Sequence, residues 1–300
     1  MNYVQLGKSA LRVSTIGFGC MSLGDNETDN TRMIHRALEL GINFLDTADM
    51  YANGMNETML GKILRDRRQQ CILATKVGNQ WRSDNSGWDW NPRKEYILAS
   101  VEKSLERLQT DHIDLYQLHG GTLEDPIDET IEAFERLQQQ GKIRYYGISS
   151  IRPSVIRKYV QLSNIVSVMM QYGILDRRPE ESCLEFLKDR GIGVLARGSL
   201  SKGLLVDKPA APWLNYSAGQ VDVAAEIVRS FSGEGFSRSP AQTALRFVLQ
   251  NPAISVAVTG FRTLVQLEDA SATPDTPSLT EDCLQSLRNA IPVNYYEQHR

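Results

Sequence analysis

Short apolar runs alternate with amphipathic segments from one end of the chain to the other. Eight runs read as strands: Thr15–Gly19, Asn43–Asp46, Cys71–Lys76, Ile113–His119, Arg144–Ile148, Val166–Met170, Gly193–Ala196 and Ser255–Thr259. Each is short and bounded by polar or turn residues, as strands are. Between them the apolar positions repeat at helical spacing. After Pro92, residues Ile97, Val101, Leu105 and Leu108 share one face, and after Pro126 so do Ile127, Ile131, Phe134 and Leu137. Leu60, Ile63 and Leu64 follow Asn56, which the pattern predicts as a helix N-cap. Unbroken strand–helix alternation predicts parallel strands joined by right-handed crossovers. Eight such units favour a closed (β/α)8 TIM barrel over an open sheet.

The other segments fit around that barrel. The opening stretch Tyr3–Val13 contains Gly7 and predicts a short N-terminal hairpin capping the barrel floor. No Pro/Gly/Ser linker divides the chain, so residues 1–300 are expected to form one barrel domain. Thr273–Ser278 reads as a surface loop before a last helix, Glu281–Ala290. Two insertions, Asn79–Pro92 and Ser201–Tyr216, follow the third and seventh strands. That is the end where barrel enzymes place their binding loops.

Composition narrows the partners more than the fold. The net charge is −3, with acids and bases interspersed, so no basic stripe exists for a nucleic acid. The runs Arg65–Arg68 and Arg177–Arg178 are short and expected to be solvated helix ends. The four cysteines, Cys20, Cys71, Cys183 and Cys283, are scattered without a CxxC pair or a histidine at ligand spacing. Neither a disulfide framework nor a metal site is expected, and a reduced, cytoplasmic compartment fits. No apolar signal core or stretch of ~18 apolar residues occurs, so no membrane partner is expected. The expected state is a monomer or weak homo-oligomer acting on a small molecule.

The chemistry gathers where strands end. The second strand runs into Asp46 and then Tyr51, the third ends in Lys76, and the fourth ends in His119. Adjacent strand ends lie side by side in a parallel barrel, so a carboxylate, a phenol, an amine and an imidazole should converge. A phenol, with a pKa of about 10, is a poor acid at neutral pH. Lys76, kept protonated by Asp46, would lower that value, and Tyr51 would then protonate an oxygen that gains negative charge. His119 would hydrogen-bond the same oxygen. Taken singly, such residues are more often a helix cap, a solvated lysine or a packed aromatic. Four compatible groups at one barrel end argue for a site.

Longer motifs carry a family resemblance. Residues 43–62 read NFLDTADMYANGMNETMLGK, residues 105–119 LERLQTDHIDLYQLH, residues 141–149 GKIRYYGIS and residues 7–19 GKSALRVSTIGFG. In order and spacing these resemble the aldo-keto reductases, over nearly the whole chain. The resemblance implies that Asp46, Tyr51, Lys76 and His119 are the family's catalytic tetrad, with Tyr51 as proton donor. It also implies reversible reduction of aldehydes or ketones with hydride from NADPH.

A Rossmann site is not expected, because Gly17 and Gly19 are followed by Ser22 where GxGxxG needs a third glycine. The resemblance instead implies a dinucleotide laid across the barrel mouth. Gly19, Cys20 and Met21 correspond to the rim beside the nicotinamide, and Ser149 and Gln171 to its carboxamide partners. Ser150 stands where the family commonly has Asn. Arg197 stands where a stacking Tyr is usual; a planar guanidinium also stacks. Gly198, Ser199, Leu200 and Lys202 correspond to the pyrophosphate loop, with Ser199 in place of Pro. After the eighth strand, Gly260, Arg262, Gln266 and Asp269 correspond to the adenosine end. Arg262 matches the position that clamps a 2′-phosphate, which favours NADPH over NADH. Asp269 replaces Glu, and Ala270 replaces Asn. Trp81, Trp88 and Trp90, three of the four tryptophans, lie in one insertion and are expected to wall an apolar carbonyl substrate.

Two other readings are open. One is a cofactor-binding regulatory subunit with little turnover, like the potassium-channel β subunits that share this barrel. The other is a Schiff-base enzyme using Lys76, which would need a neutral, desolvated amine.

Overall fold

The computed structural model describes all 300 residues. Eight strands close a barrel, labelled here in chain order: β1 Ile16–Gly19, β2 Phe44–Asp46, β3 Ile72–Val77, β4 Ile113–Leu118, β5 Ile143–Ser149, β6 Ser167–Gln171, β7 Gly193–Arg197 and β8 Ile254–Thr259. Every neighbouring pair is parallel, and β8 closes against β1 with Ala257 opposite Ile16. The strands coincide with the eight apolar runs to within two residues. Helices Glu27–Glu39, Met55–Leu64, Lys94–Leu108, Ile127–Gln139, Pro153–Leu162, Cys183–Asp189, Pro240–Leu249 and Leu264–Ser271 surround the barrel. Ala218–Ser230 and a last helix, Glu281–Asn289, are additional.

The apolar residues form two cores. A large cluster fills the space between strands and helices; Ile97, Val101, Leu108, Ile131, Phe134 and Leu137 bury their predicted faces there. A second cluster lies inside the barrel: Phe44, Ala74, Leu115, Met169, Leu195 and Val256, with Leu6, Leu11 and Val13 below them. Those last three come from the predicted hairpin, where Tyr3–Gln5 pairs antiparallel with Arg12–Ser14. Gly7 at its tip has φ +52°, and a Cβ there would sit 2.2 Å from the carbonyl oxygen of Val166. The hairpin thus plugs the barrel where the strands begin.

Some expectations fail for tertiary reasons. Asn56 is not an N-cap. It lies inside the helix, buried, donating to the Cys20 carbonyl at 2.9 Å and accepting from Thr47 Oγ1 at 2.7 Å. Gly54, with φ +85°, starts that helix instead. The arginine runs are not simply solvated: Arg68 pairs with buried Asp114 at 2.7 Å, Arg177 with Glu180 at 2.7 Å and Arg178 with buried Asp176 at 2.7 Å. The Asn79–Pro92 insertion is a β-hairpin, Asn79–Trp81 against Trp88–Trp90. All four cysteines are free and buried, and no helix is long and apolar enough to cross a membrane.

Candidate active site

Side chains along a strand alternate between the two faces of the sheet. The inward layer of Phe44, Ala74, Leu115, Met169 and Leu195 is therefore followed, two residues on, by Asp46, Lys76, Gln117, Gln171 and Arg197. The sequence turns from apolar to polar at one height around the barrel. The polar layer lies at the strand ends away from the hairpin plug, so it forms the floor of the mouth.

Asp46, Tyr51, Lys76 and His119 meet there. Lys76 Nζ donates to Asp46 Oδ2 at 2.7 Å and to the Thr47 carbonyl at 2.7 Å, and lies 3.5 Å from the Tyr51 hydroxyl. Tyr51 and His119 meet edge to face, ring centroids 6.1 Å apart. Gln117 Nε2 donates to the second oxygen of Asp46 at 3.3 Å. Tyr51 is presented by a tight turn in which Ala52 and Asn53 both have positive φ. Left-handed backbone in consecutive non-glycine residues is costly and persists only where the surrounding structure holds it.

Burial and charge set the protonation states. Burial lowers the Lys76 ammonium, but Asp46 and then Tyr51 raise it more, so it stays protonated. A protonated, carboxylate-bound amine is unsuited to Schiff-base chemistry. His119 is pushed down to about 3, by burial first and then by Lys76 and Arg197, so its imidazole is neutral. The Tyr51 expectation needs correction. Lys76 does pull the phenol down, but burial raises it by more and Asp46 adds to the rise, leaving it above its ordinary value. Tyr51 therefore rests as the protonated acid.

Around this centre the rim residues separate into groups. Ser22 Oγ donates to the Gly19 carbonyl at 3.0 Å and accepts from the Phe261 amide at 2.9 Å, tying the end of β1 to that of β8 beside Gly260. Cys20 is fully buried, whereas Met21 is 70% exposed on the rim. Ser149 and Ser150 are buried at the end of β5, and Ser150 Oγ accepts from the Arg152 amide at 3.2 Å. Gln171 Oε1 accepts from Arg197 Nη1 at 3.1 Å, while Gln171 Nε2 is buried with no partner. Ser199 Oγ and His119 Nδ1 are likewise buried and unpartnered.

Gly198 has φ +72° and Lys202 φ +57°, in a tight turn with Leu200 half-buried; Lys202 Nζ lies 5.8 Å over the Trp213 ring. Arg262 is exposed, and its amide donates to Gln266 Oε1 at 3.0 Å. The Asp269 carboxylate accepts at 2.7 Å from Oγ of Ser239, the N-cap of the neighbouring helix Pro240–Leu249. The tryptophans divide too. Trp81 Nε1 donates to the Met50 carbonyl at 3.1 Å, next to Tyr51, whereas Trp90 Nε1 donates to Asp125 at 2.9 Å and packs over Gly78 and Gly120. Trp88 is 46% exposed. Trp90 thus anchors the hairpin, while Trp81 and Trp88 pair across it in register.

The sequence model of the Aldo/keto reductase family matches residues 15–291. The chain belongs to that family. It is 48% identical to aldo-keto reductase AKR11C1 from Bacillus halodurans in its holo form, covering 100% of this chain and 99% of that one, with a TM-score of 0.93. Among relatives by sequence, an uncharacterized oxidoreductase of Bacillus subtilis, YqkF, is 46% identical over 99% of this chain and 98% of its own. L-galactose dehydrogenase of Arabidopsis thaliana is 32% identical over 92% of this chain and 89% of its own.

Within this aldo-keto reductase the structure adds residues that sequence reasoning missed. Gln117 was legible in principle, because it lies two residues after inward Leu115 and two before His119. The Thr47 carbonyl, which holds Lys76, carries no sequence signal. Glu57 is fully buried beneath the Tyr51 turn, accepting from Thr75 Oγ1 at 2.6 Å and Arg107 Nε at 2.7 Å. Asp49, two residues before Tyr51, has a buried unpartnered oxygen and is pushed up to about 8, by burial first and then by Glu57.

Proposed function

We propose that this chain is an NADPH-dependent carbonyl reductase, with Tyr51 as general acid and His119 orienting the carbonyl. One observation supports this most: a protonated lysine, fixed by a carboxylate at 2.7 Å, stands 3.5 Å from a phenol that faces a neutral imidazole. When bound, a reduced nicotinamide supplies the hydride. The unpartnered polar atoms suit such a group, since Gln171 Nε2 offers a donor for a carboxamide and Ser199 Oγ belongs to the loop proposed for the pyrophosphate.

The chain's own residues do the rest. Neutral His119 donates a hydrogen bond to the substrate oxygen and holds it beside Tyr51. Tyr51 carries its proton until that oxygen becomes strongly basic, then passes it on. The phenolate left behind is met by the Lys76 ammonium, whose charge counts for more in a buried site than in water. Asp46, Thr47 and Gln117 hold Lys76 in place, so no reorganisation is needed as charge develops.

The exposed cation Arg262 suits the 2′-phosphate that distinguishes NADPH from NADH. Exposed Met21, Met55, Trp88, Leu123, Ile151 and Leu214 come from segments that follow barrel strands. Apolar side chains on loops at that end would suit an aromatic or aliphatic carbonyl. The test is NADPH oxidation over a panel of aldehydes, ketones and sugars. Turnover that needs Tyr51 supports the reading. A tight NADPH complex with no turnover on any of them would favour a regulatory, binding-only role.

A further inference from the structure

Arg197 closes β7 opposite Gln171 and stands in the same inward layer as Asp46, Lys76 and Gln117. Its charge reaches the tetrad: burial leaves Asp46 and Tyr51 above their ordinary values, Arg197 is a lesser pull in the opposite direction on both, and it adds to burial and Lys76 in depressing His119. The mouth therefore holds two cations of different standing. Lys76 is buried and matched by the Asp46 carboxylate at 2.7 Å. Arg197 is exposed, and the acceptor that holds it is the neutral amide oxygen of Gln171 at 3.1 Å. Its positive charge is left over.

A ring that gives hydride to a carbonyl held between Tyr51 and His119 must lie against this layer. Two electrons and one hydrogen leave the ring together as hydride for the carbonyl carbon, and the Tyr51 proton completes the alcohol. The ring changes from neutral to singly positive. A cation held beside the ring would oppose that change. We propose that Arg197 biases the oxidation state of the bound cofactor, so that the site holds reduced nicotinamide more tightly than oxidised. The inference rests on the carbonyl-reductase reading. Its consequence is that the spent, oxidised cofactor is released readily, while the equilibrium on the enzyme is drawn toward the carbonyl and the reduced ring. Lys76 does not contribute equally, because Asp46 offsets its field.

NADPH and NADP+ share the pyrophosphate and the 2′-phosphate, so the ratio of their dissociation constants isolates the ring. Each is titrated into wild type, Arg197→Met and Arg197→Lys, following quenching of protein fluorescence. Arg197→Met should reduce the preference for NADPH over NADP+ by roughly tenfold, which is about 1.4 kcal/mol. The potential of the bound couple should fall by about 30 mV, the two-electron equivalent of tenfold. Arg197→Lys should keep most of the preference. An unchanged ratio in Arg197→Met, or an equal loss in Arg197→Lys, would overturn the charge argument while leaving the carbonyl-reductase reading intact. Failure of wild type to bind either cofactor would overturn both. The residue is exposed, so the unfolding midpoints of all three proteins should agree.

Discussion

The two ends of the barrel each contain a buried aspartate paired with cations, and they are built to opposite effect. On the floor, Asp114 accepts from Arg68 Nη2 at 2.7 Å, the Leu73 amide at 3.0 Å and Arg144 Nη1 at 2.9 Å. Its oxygens are satisfied within the protein. At the mouth, Asp46 fixes Lys76, but His119 Nδ1, Gln171 Nε2 and Ser199 Oγ around the pair remain without partners. Saturated buried polar groups hold a structure together, whereas a group of unsatisfied ones beside a mouth is open to completion by a ligand. The contrast follows the rule that the strand C-termini of these barrels bear chemistry and the N-termini bear stability.

Substitutions at the two ends should therefore separate turnover from folding. The largest effect is expected at the mouth. Tyr51→Phe should lower turnover by roughly 10²–10⁴, the range for losing a general acid, while the unfolding free energy moves by less than ~1 kcal/mol. Steady-state NADPH oxidation and denaturant titration would check both halves; retained turnover would remove Tyr51 from the role. At the floor the order reverses. Asp114→Ala strands Arg68 and the Leu73 amide, and should cost about 3 kcal/mol of stability with kcat/KM per folded molecule unchanged. A turnover loss there equal to that of Tyr51→Phe would erase the distinction between the ends.

Smaller effects sharpen the account of the mouth. Arg262→Ala should weaken NADPH binding by ~1.5–3 kcal/mol, the scale of a charged hydrogen bond, and leave NADH nearly unaffected. Calorimetric titration with each cofactor decides this, and equal losses would contradict the 2′-phosphate assignment.

The smallest effect is a pH slope. Burial and its neighbours hold His119 down to about 3 in the folded protein, below the ordinary value of about 6.5. Below pH ~6.5 the unfolded chain takes up a proton that the folded one refuses, so stability falls as pH falls toward 3. The contribution is at most about 1.4 kcal/mol per pH unit, and His119→Gln should remove it. Unfolding free energies at pH 6 and pH 4 for the two proteins would show whether the slopes differ.

Much of this was legible because strand residues alternate and strand ends are punctuated. The positions of Asp46, Lys76 and His119 at the ends of three successive apolar runs were enough to bring them to one mouth. Gln117 shared that register and could have been read from it. Asn56 misled because a polar residue before an apolar repeat looks like a cap, and only the packed neighbours Cys20 and Thr47 show that it bridges elements instead. Arg68, Arg177 and Arg178 misled in the same way, since the carboxylates that hold Arg68 and Arg178, Asp114 and Asp176, are buried among apolar neighbours, one in β4 and one in the connection after β6. Trp90 resembles Trp81 in composition and spacing, but only the fold shows that Trp90 is held by Asp125 from another loop and Trp81 by the Met50 carbonyl.

What the sequence determined by itself is periodicity: eight runs, the helical faces between them, and therefore a closed parallel sheet with chemistry at one rim. These are local properties of a chain whose side chains must alternate or repeat to be buried. The tertiary structure alone decided the protonation states and the partners. Whether Tyr51 sits above or below its ordinary pKa depends on how far burial outweighs Lys76, and burial belongs to the assembled barrel rather than to any segment of it. Whether Arg197 is a neutralised or a leftover charge depends equally on Gln171 standing opposite it across two strands.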